Sequence, residues 1–155
     1  MAGGVRDTDR GWSALGRALA ALSSDPVYVT IGVHGETHSD MVVIAASNEF
    51  GTATIPERSY LRSTIDEGAR EVAEDLAGAL GNYLRDPGRV DLLQRLGLVG
   101  EKWVGKVKRK IIDLKLPPNA PSTIARKGST NPLVDTGRLL NSITWATFKG
   151  NRFAG

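Results

Sequence analysis

The stretch of residues 90–116 constrains the fold most, because it reads as one long amphipathic helix that Pro117 ends. At 100° per residue its apolar side chains share one face: Trp103, Val104, Val107, Ile111 and Leu114. An apolar face of this length must pack against a second layer of structure. The rest of the chain therefore has to supply that layer.

Shorter patterns elsewhere predict the remaining elements. Helices are predicted over residues 11–22, from 63 to about 84 and in a turn at 136–140, and strands over residues 27–33 and 142–148. Residues 41–50 fit a short helix better than a strand. Ser63 and Thr64 each stand three positions before an acidic residue, which is capping-box spacing for the start of the 63–84 helix.

These elements together predict an α+β fold, a small antiparallel sheet packed by two long helices plus an N-terminal helix. The 155 residues suit a single domain over residues 1–155, with residues 1–10 as a flexible N-terminus. Residues 117–132 are predicted as an extended basic loop. Within it, the polar stretch 122–131 is expected to be disordered in a free monomer and to order on assembly.

Composition excludes several classes of chemistry. The chain has no cysteine, so disulfides, thiolate catalysis and cysteine-ligated metals are excluded. The formal net charge is only +3, too mild to imply nucleic acid. No stretch approaches the roughly 18 apolar residues of a membrane span, and the first residues lack an apolar signal core.

The tripeptide Asp135-Thr136-Gly137 matches the signature that retroviral-type aspartic proteases carry at their catalytic carboxylate. Such a protease needs a flap and further sheet after this tripeptide, and too few residues follow it here. A helix cap explains the tripeptide better: Asp135 or Thr136 would accept hydrogen bonds from the free amides of the turn that begins at Gly137.

A second chemical candidate is the stretch HGETHSD, in which potential metal ligands alternate. On an extended strand these four would point to one side: His34, Glu36, His38 and Asp40. A solvated hairpin tip explains the same residues, and we expect no metal and no cofactor.

The third candidate is a basic stripe on the 90–116 helix, with two further basic residues in the loop that follows. Its members are Lys102, Lys106, Arg109, Lys110, Arg126 and Lys127. Such groups could contact DNA phosphates, but a charged stripe is more often a solvated helix face. No Gly-rich phosphate loop and no serine–histidine constellation accompanies it, so we expect no enzyme.

Two segments resemble a known family. NEFGTATIPERSYLR, residues 48–62, resembles a motif of tailed-bacteriophage neck and tail-completion proteins, which include minor tail protein Z-like proteins. LPPNAPSTIARKGSTNPLVDTGRLLNSITW, residues 116–145, is similar to a second motif of the same family, in the same order. The strand PVYVTIGV stands where that family has an early strand ending in glycine.

The resemblance implies a structural protein of the virion neck or tail, assembled in the host cytoplasm. Such a protein forms a homo-oligomeric ring of six or twelve copies that joins the tail tube to the head connector. Its partners would be copies of itself, the connector or adaptor, and the tail-terminator or tail-tube proteins, with genomic DNA passing through the ring without sequence-specific contact. A tail terminator that caps the tube, or a DNA-binding module of phage origin, are the alternatives.

The same resemblance implies which residues serve assembly: Glu49, Phe50, Gly51, Pro56, Arg58, Arg62, Pro132, Asp135, Thr136, Gly137 and Arg138. Gly51 would allow a turn with positive φ after Phe50. Arg58 or Arg62 could pair with the carboxylate of Glu49 or Asp135, within one chain or between neighbours. Whether these residues pin loops inside one subunit or form a subunit interface stays open at this point.

Overall fold

The computed structural model describes residues 10–34 and 39–154, and in them the chain has an α+β fold. The helices are α1 (Arg10–Ser24), α2 (Ser39–Phe50), α3 (Arg62–Glu67), α4 (Ala69–Arg85), α5 (Leu92–Asp113), α6 (Pro121–Lys127) and α7 (Arg138–Ser142). The strands are β1 (Val27–Val33), β2 (Ile143–Lys149) and β3 (Arg152–Phe153). Residues 1–9, the greater part of the stretch expected to be flexible, lie outside the described residues.

The strands form one antiparallel sheet in the order β1-β2-β3. All seven residues of β1 pair with β2, from Val27 opposite Lys149 to Val33 opposite Ile143. A tight turn with Gly150 at positive φ then leads into β3, which pairs with the end of β2. The predicted small antiparallel sheet is confirmed, and β3 adds a strand for which no pattern was found.

Helix α5 packs its apolar face against a second layer, as the sequence demanded. Its predicted apolar face is buried at Trp103, Val104, Val107 and Ile111, and Leu114 packs against the same core. Residues of α2, the segment before α7 and the sheet complete this core, among them Met41, Leu133 and Ile143.

The close fit of α5 to the sheet depends on two of its glycines. A Cβ at Gly97 would lie 2.9 Å from the Trp145 ring, and one at Gly100 would lie 2.9 Å from both Trp145 and Val29. These two glycines therefore let α5 approach the sheet closely.

The predicted 63–84 helix is instead two helices, α3 and α4, separated at Gly68. A Cβ at Gly68 would lie 2.3 Å from the Trp103 ring, which occupies the space beside this residue. The predicted capping box is wrong, because Ser63 Oγ donates to the Ser59 carbonyl at 2.6 Å and Thr64 Oγ1 donates to the Tyr60 carbonyl at 2.6 Å. Both hydroxyls therefore bond backward to carbonyls of the preceding turn.

The segment 117–132 is not extended throughout, since it contains α6, which begins at Pro121 and ends before Gly128 in the left-handed conformation. Among the described residues no helix is both long and apolar enough to span a membrane.

Candidate assembly site

Glu49 is the centre of the first motif, and its carboxylate is buried, with 4% of the residue exposed. The backbone N–H groups of Tyr60, Leu61 and Arg62 each donate to it at 2.9 Å, and Ser59 Oγ donates at 2.8 Å. These amides stand at the start of α3, where helical N–H groups have no partner within the helix. Glu49 thus caps α3 from another helix, α2.

The electrostatics of this contact favour the ionised carboxylate. Burial alone would raise the pKa of Glu49, but the hydrogen bonds from Leu61, Arg62, Ser59 and Tyr60 together outweigh it and lower the pKa below its usual value. Burial and the nearby Glu49 charge raise the pKa of Tyr60 well above its usual value, so its phenol remains protonated.

Gly51 lets the chain turn directly after α2, with φ of +73° as the sequence predicted. A Cβ at this position would lie 2.9 Å from the Glu57 backbone nitrogen, so a side chain is excluded by space as well as by conformation. The segment after this turn is held against the end of α2 by a hydrogen bond, in which Arg58 N donates to the Asn48 carbonyl at 2.7 Å. Pro56 lies exposed on this loop.

Arg58 joins the first motif to the second. Its guanidinium is buried and donates to the carbonyl oxygens of Pro117 at 2.8 Å and Pro118 at 3.1 Å. A third bond reaches Asn119 Oδ1 at 3.1 Å. Burial lowers the pKa of Arg58 from its usual value. A planar guanidinium suits this set of carbonyl acceptors better than an ammonium group would.

Within one chain, the expected ion pairs of these arginines with Glu49 or Asp135 are wrong, and pairs between neighbouring chains stay a prediction. Arg58 binds the neutral oxygens just described, and the Arg62 side chain pairs with Glu57 on the surface, whereas Glu49 is contacted by the Arg62 backbone. Within the chain, the charge of buried Glu49 is therefore stabilised by hydrogen bonds from amides and a hydroxyl instead of by a cation.

Within the second motif Asn131 is the organising residue, and it was missed from the sequence. Its Oδ1 accepts from Leu133 N and Val134 N at 3.1 Å each, and its Nδ2 donates to the Ile112 carbonyl at 2.9 Å. It therefore ties the turn before buried Leu133 to the end of α5. An asparagine before Pro132 was the available signal, since such residues often bond to backbone two positions on.

The Asp135-Thr136-Gly137 tripeptide does not cap a helix through a side chain. Gly137 itself is the N-cap of α7, at φ of +76°, and no side-chain oxygen bonds to the helix amides there. Asp135 and Thr136 are exposed on the rim of an open hollow of about 230 Å³ beside α2. Arg138 forms a surface ion pair with Asp40.

The basic stripe of α5 faces another helix. Lys102 lies 2.7 Å from Asp75 and 2.9 Å from Glu71, Lys106 also pairs with Glu71, and Lys110 lies 2.7 Å from Glu67. These carboxylates come from α3 and α4. The hydrogen bond from Lys102 is the chief reason that the pKa of Asp75 is lowered.

Of the other basic residues, Lys127 is half-buried and donates to the Asn131 and Pro132 carbonyls. Arg109 and Arg126 are exposed. Three lysines of the stripe therefore form ion pairs with α3 and α4, and two arginines of the set remain on the surface.

The alternating HGETHSD set does not converge where it is described. His34 binds threonine hydroxyls through both ring nitrogens, at 2.9 Å to Thr30 and 2.9 Å to Thr144. Asp40 is held by Arg138, and Glu36 and His38 lie outside the described residues. Across residues 10–34 and 39–154 there is no group of three potential ligands that could hold a metal ion.

The motif residues thus divide into a buried and an exposed group. Glu49, Arg58 and Pro132 are buried and bonded within the chain. The exposed group comprises Phe50, Pro56, Arg62, Asp135, Thr136 and Arg138. Phe50 is 65% exposed at the end of α2, next to the Arg62 guanidinium, and Val43 of the same helix is 67% exposed.

No protein-family model, no curated protein and no solved structure matches this chain.

Proposed function

We propose that this chain is a structural protein of a tailed-bacteriophage neck, a tail-completion protein that joins the tail tube to the head connector. In this proposal it is not an enzyme, and six or twelve copies close into a ring in the virion. The observation that carries the proposal is the contact from Arg58 to the Pro117 and Pro118 carbonyls. It joins the two segments that resemble neck proteins into one unit.

The chemistry of the buried motif residues supports a scaffolding role. The Glu49 carboxylate accepts four hydrogen bonds from the chain itself, and the Arg58 guanidinium donates to four neighbouring oxygens. Charged groups that bond to the chain in this way hold its loops in a fixed geometry. The two interpretations of the motifs, loops pinned inside one subunit and a subunit interface, then apply to different residues.

The exposed group, by contrast, suits contact with other subunits. Phe50 and Val43 present large apolar surface on α2, and contiguous apolar surface on a folded protein often marks a binding site. Arg62 and Arg138 add charged groups nearby, which suit the polar rim of an interface. We assign this side of α2 to contacts within the neck.

A DNA-binding module is less well supported by the charge distribution. Lys102, Lys106 and Lys110 are paired with carboxylates of α3 and α4, so using them on phosphates would cost those pairs. DNA would then pass through the ring without specific contact.

An in vitro joining assay tests the proposal. Tails and filled heads from a phage that lacks this protein should combine into infectious particles when the purified protein is added. Phe50→Ser should reduce joining while the fold is retained, and the matched control Leu98→Ser, a 54% exposed leucine on α5, should not. Failure of the wild-type protein to join them, with tight duplex binding that falls steeply with salt, would favour the DNA-binding module.

A further inference from the structure

The outer edge of β1 is a sheet edge with which no strand of the described residues pairs. In the described part of the chain β1 pairs only with β2, and its sequence VYVTIGV contains no charge and no proline. The Gly150 N–H donates to the Pro26 carbonyl at 2.8 Å, so alternation along the strand directs the backbone groups of Tyr28 towards β2 and those of Val27 and Val29 outwards. Natural proteins usually protect such an edge with charges, prolines, bulges or a covering helix or loop, because an open edge can pair with another chain.

On the opposite side of the sheet, no strand of the described residues pairs with the outer edge of β3. The Ala154 N–H donates to the Thr147 carbonyl at 2.7 Å, which directs the backbone groups of Phe153 away from β2. Strands β1 and β3 are both antiparallel to β2, so they run in the same direction.

Three aromatic side chains cross one face of the sheet between these two edges. Tyr28 stacks on Phe148 at 5.1 Å, and Phe148 meets Phe153 edge-to-face at 5.7 Å. Both ends of this row are open, since Tyr28 is 42% and Phe153 67% exposed. Among the described residues, no further aromatic ring contacts Tyr28 at the β1 edge or Phe153 at the β3 edge. The row therefore ends in an open ring on each side.

We propose that β3 of one copy pairs in parallel with β1 of the next copy, so that Phe153 lies beside Tyr28 of its neighbour and the aromatic row continues around the ring. The occupant of the β1 edge is thus a second copy of this chain. This inference rests on the proposed function, because it assigns the subunit contact of the ring.

The backbone geometry permits this pairing. In a parallel pair, a residue whose groups face the partner strand bonds to the two residues flanking the one opposite. The outward groups of Phe153 would bond to those of Val27 and Val29, with Tyr28 opposite. Phe153 and Tyr28 then share one face of the sheet, which the row requires. Because the contact joins two different edges, β3 of one copy and β1 of the next, it is heterologous and can repeat from copy to copy until a ring closes.

Engineered cysteines test the contact cleanly, because the chain has none of its own. Adjacent strands lie about 4.8 Å apart, within the Cα separation that a disulfide spans. Within one copy β2 separates the two positions, which puts them at about 9–10 Å, too far for a disulfide. On oxidation the Tyr28→Cys/Phe153→Cys variant should therefore form a ladder of covalent oligomers that ends at the ring. The matched control, Tyr28→Cys/Phe148→Cys, joins directly opposite residues of one copy and should form no covalent oligomers.

A second variant covers the case in which the double cysteine variant does not fold. Phe153→Asp places a charge on an exposed edge, and it should raise the concentration needed for assembly at least tenfold while circular dichroism is unchanged. Leu98→Asp, on exposed α5 surface, should leave assembly unchanged.

The outcomes separate this inference from the proposed function. Rings that form without a ladder, or a product that stops at the dimer, would overturn the β3–β1 contact and leave the neck function standing. Protein that stays monomeric with no ladder, and fails to join heads to tails, would overturn both.

Discussion

Replacing Glu49 by glutamine tests the buried carboxylate that holds the first motif together. The amide keeps one carbonyl oxygen, which can still accept from Tyr60 N and Leu61 N, but its NH₂ faces the Arg62 N–H. A buried donor without an acceptor costs about 1–3 kcal/mol, and the two retained bonds each lose about 1 kcal/mol when the acceptor becomes neutral. Together these effects predict a loss of about 3–5 kcal/mol in the free energy of unfolding.

Urea or thermal denaturation measures this loss. For a chain of this size, 1 kcal/mol corresponds to about 2–4 °C in Tm, so the variant should melt roughly 6–20 °C lower. The control is Glu57→Gln, whose carboxylate is half exposed and pairs with Arg62 on the surface, and it should cost less than about 1 kcal/mol. If Glu49→Gln and Glu57→Gln destabilise the protein equally, the capping role of Glu49 is refuted.

Wild type and Glu49→Gln also give a pH test. Because folding lowers the pKa of Glu49, its contribution is complete above the unfolded-state pKa of about 4.3 and is lost as pH falls through the lower folded-state pKa. The stability difference between wild type and Glu49→Gln should therefore shrink on acidification below about pH 4.3. A difference that stays constant down to pH 2 would contradict the lowered pKa.

Three further substitutions test other contacts and turns of the two motifs, each by denaturation. Arg58→Lys should cost about 2–4 kcal/mol, since one ammonium cannot reproduce the fork that binds three oxygens of the second motif. Asn131→Ala should cost about 2 kcal/mol, because two amides lose their acceptor. Gly51→Ala should cost about 2 kcal/mol or more from its left-handed φ and the backbone contact at 2.9 Å, whereas Gly78→Ala, with open space around its Cβ, should be neutral or stabilising. Equal effects of the two glycine variants would contradict the turn geometry.

The main elements could be predicted because they depend on local patterns. The β-branched run of β1 and the apolar face of α5 are each readable within one segment, and both are confirmed. Their order along the chain then sufficed for the α+β class. The short strand β3 was missed, since two residues after a turn carry too little pattern to detect.

The contacts of the motifs could not be predicted, because they join residues far apart in sequence. Glu49 caps a helix that begins thirteen residues later along the chain, and no local spacing encodes that. Three lysines of the α5 stripe pair with carboxylates of α3 and α4, whose facing positions depend on how the helices pack. Asp135 and Thr136 stand in a good capping context, but Gly137 adopts the left-handed conformation and takes the N-cap position itself.

The most direct test of the central claim is electron microscopy of the protein mixed with tail tubes that lack it. The neck assignment predicts a ring of this protein at the head-proximal end of each tube, built from six or twelve copies. Tubes whose ends remain bare, or protein bound along their whole length, would contradict a role in joining head to tail.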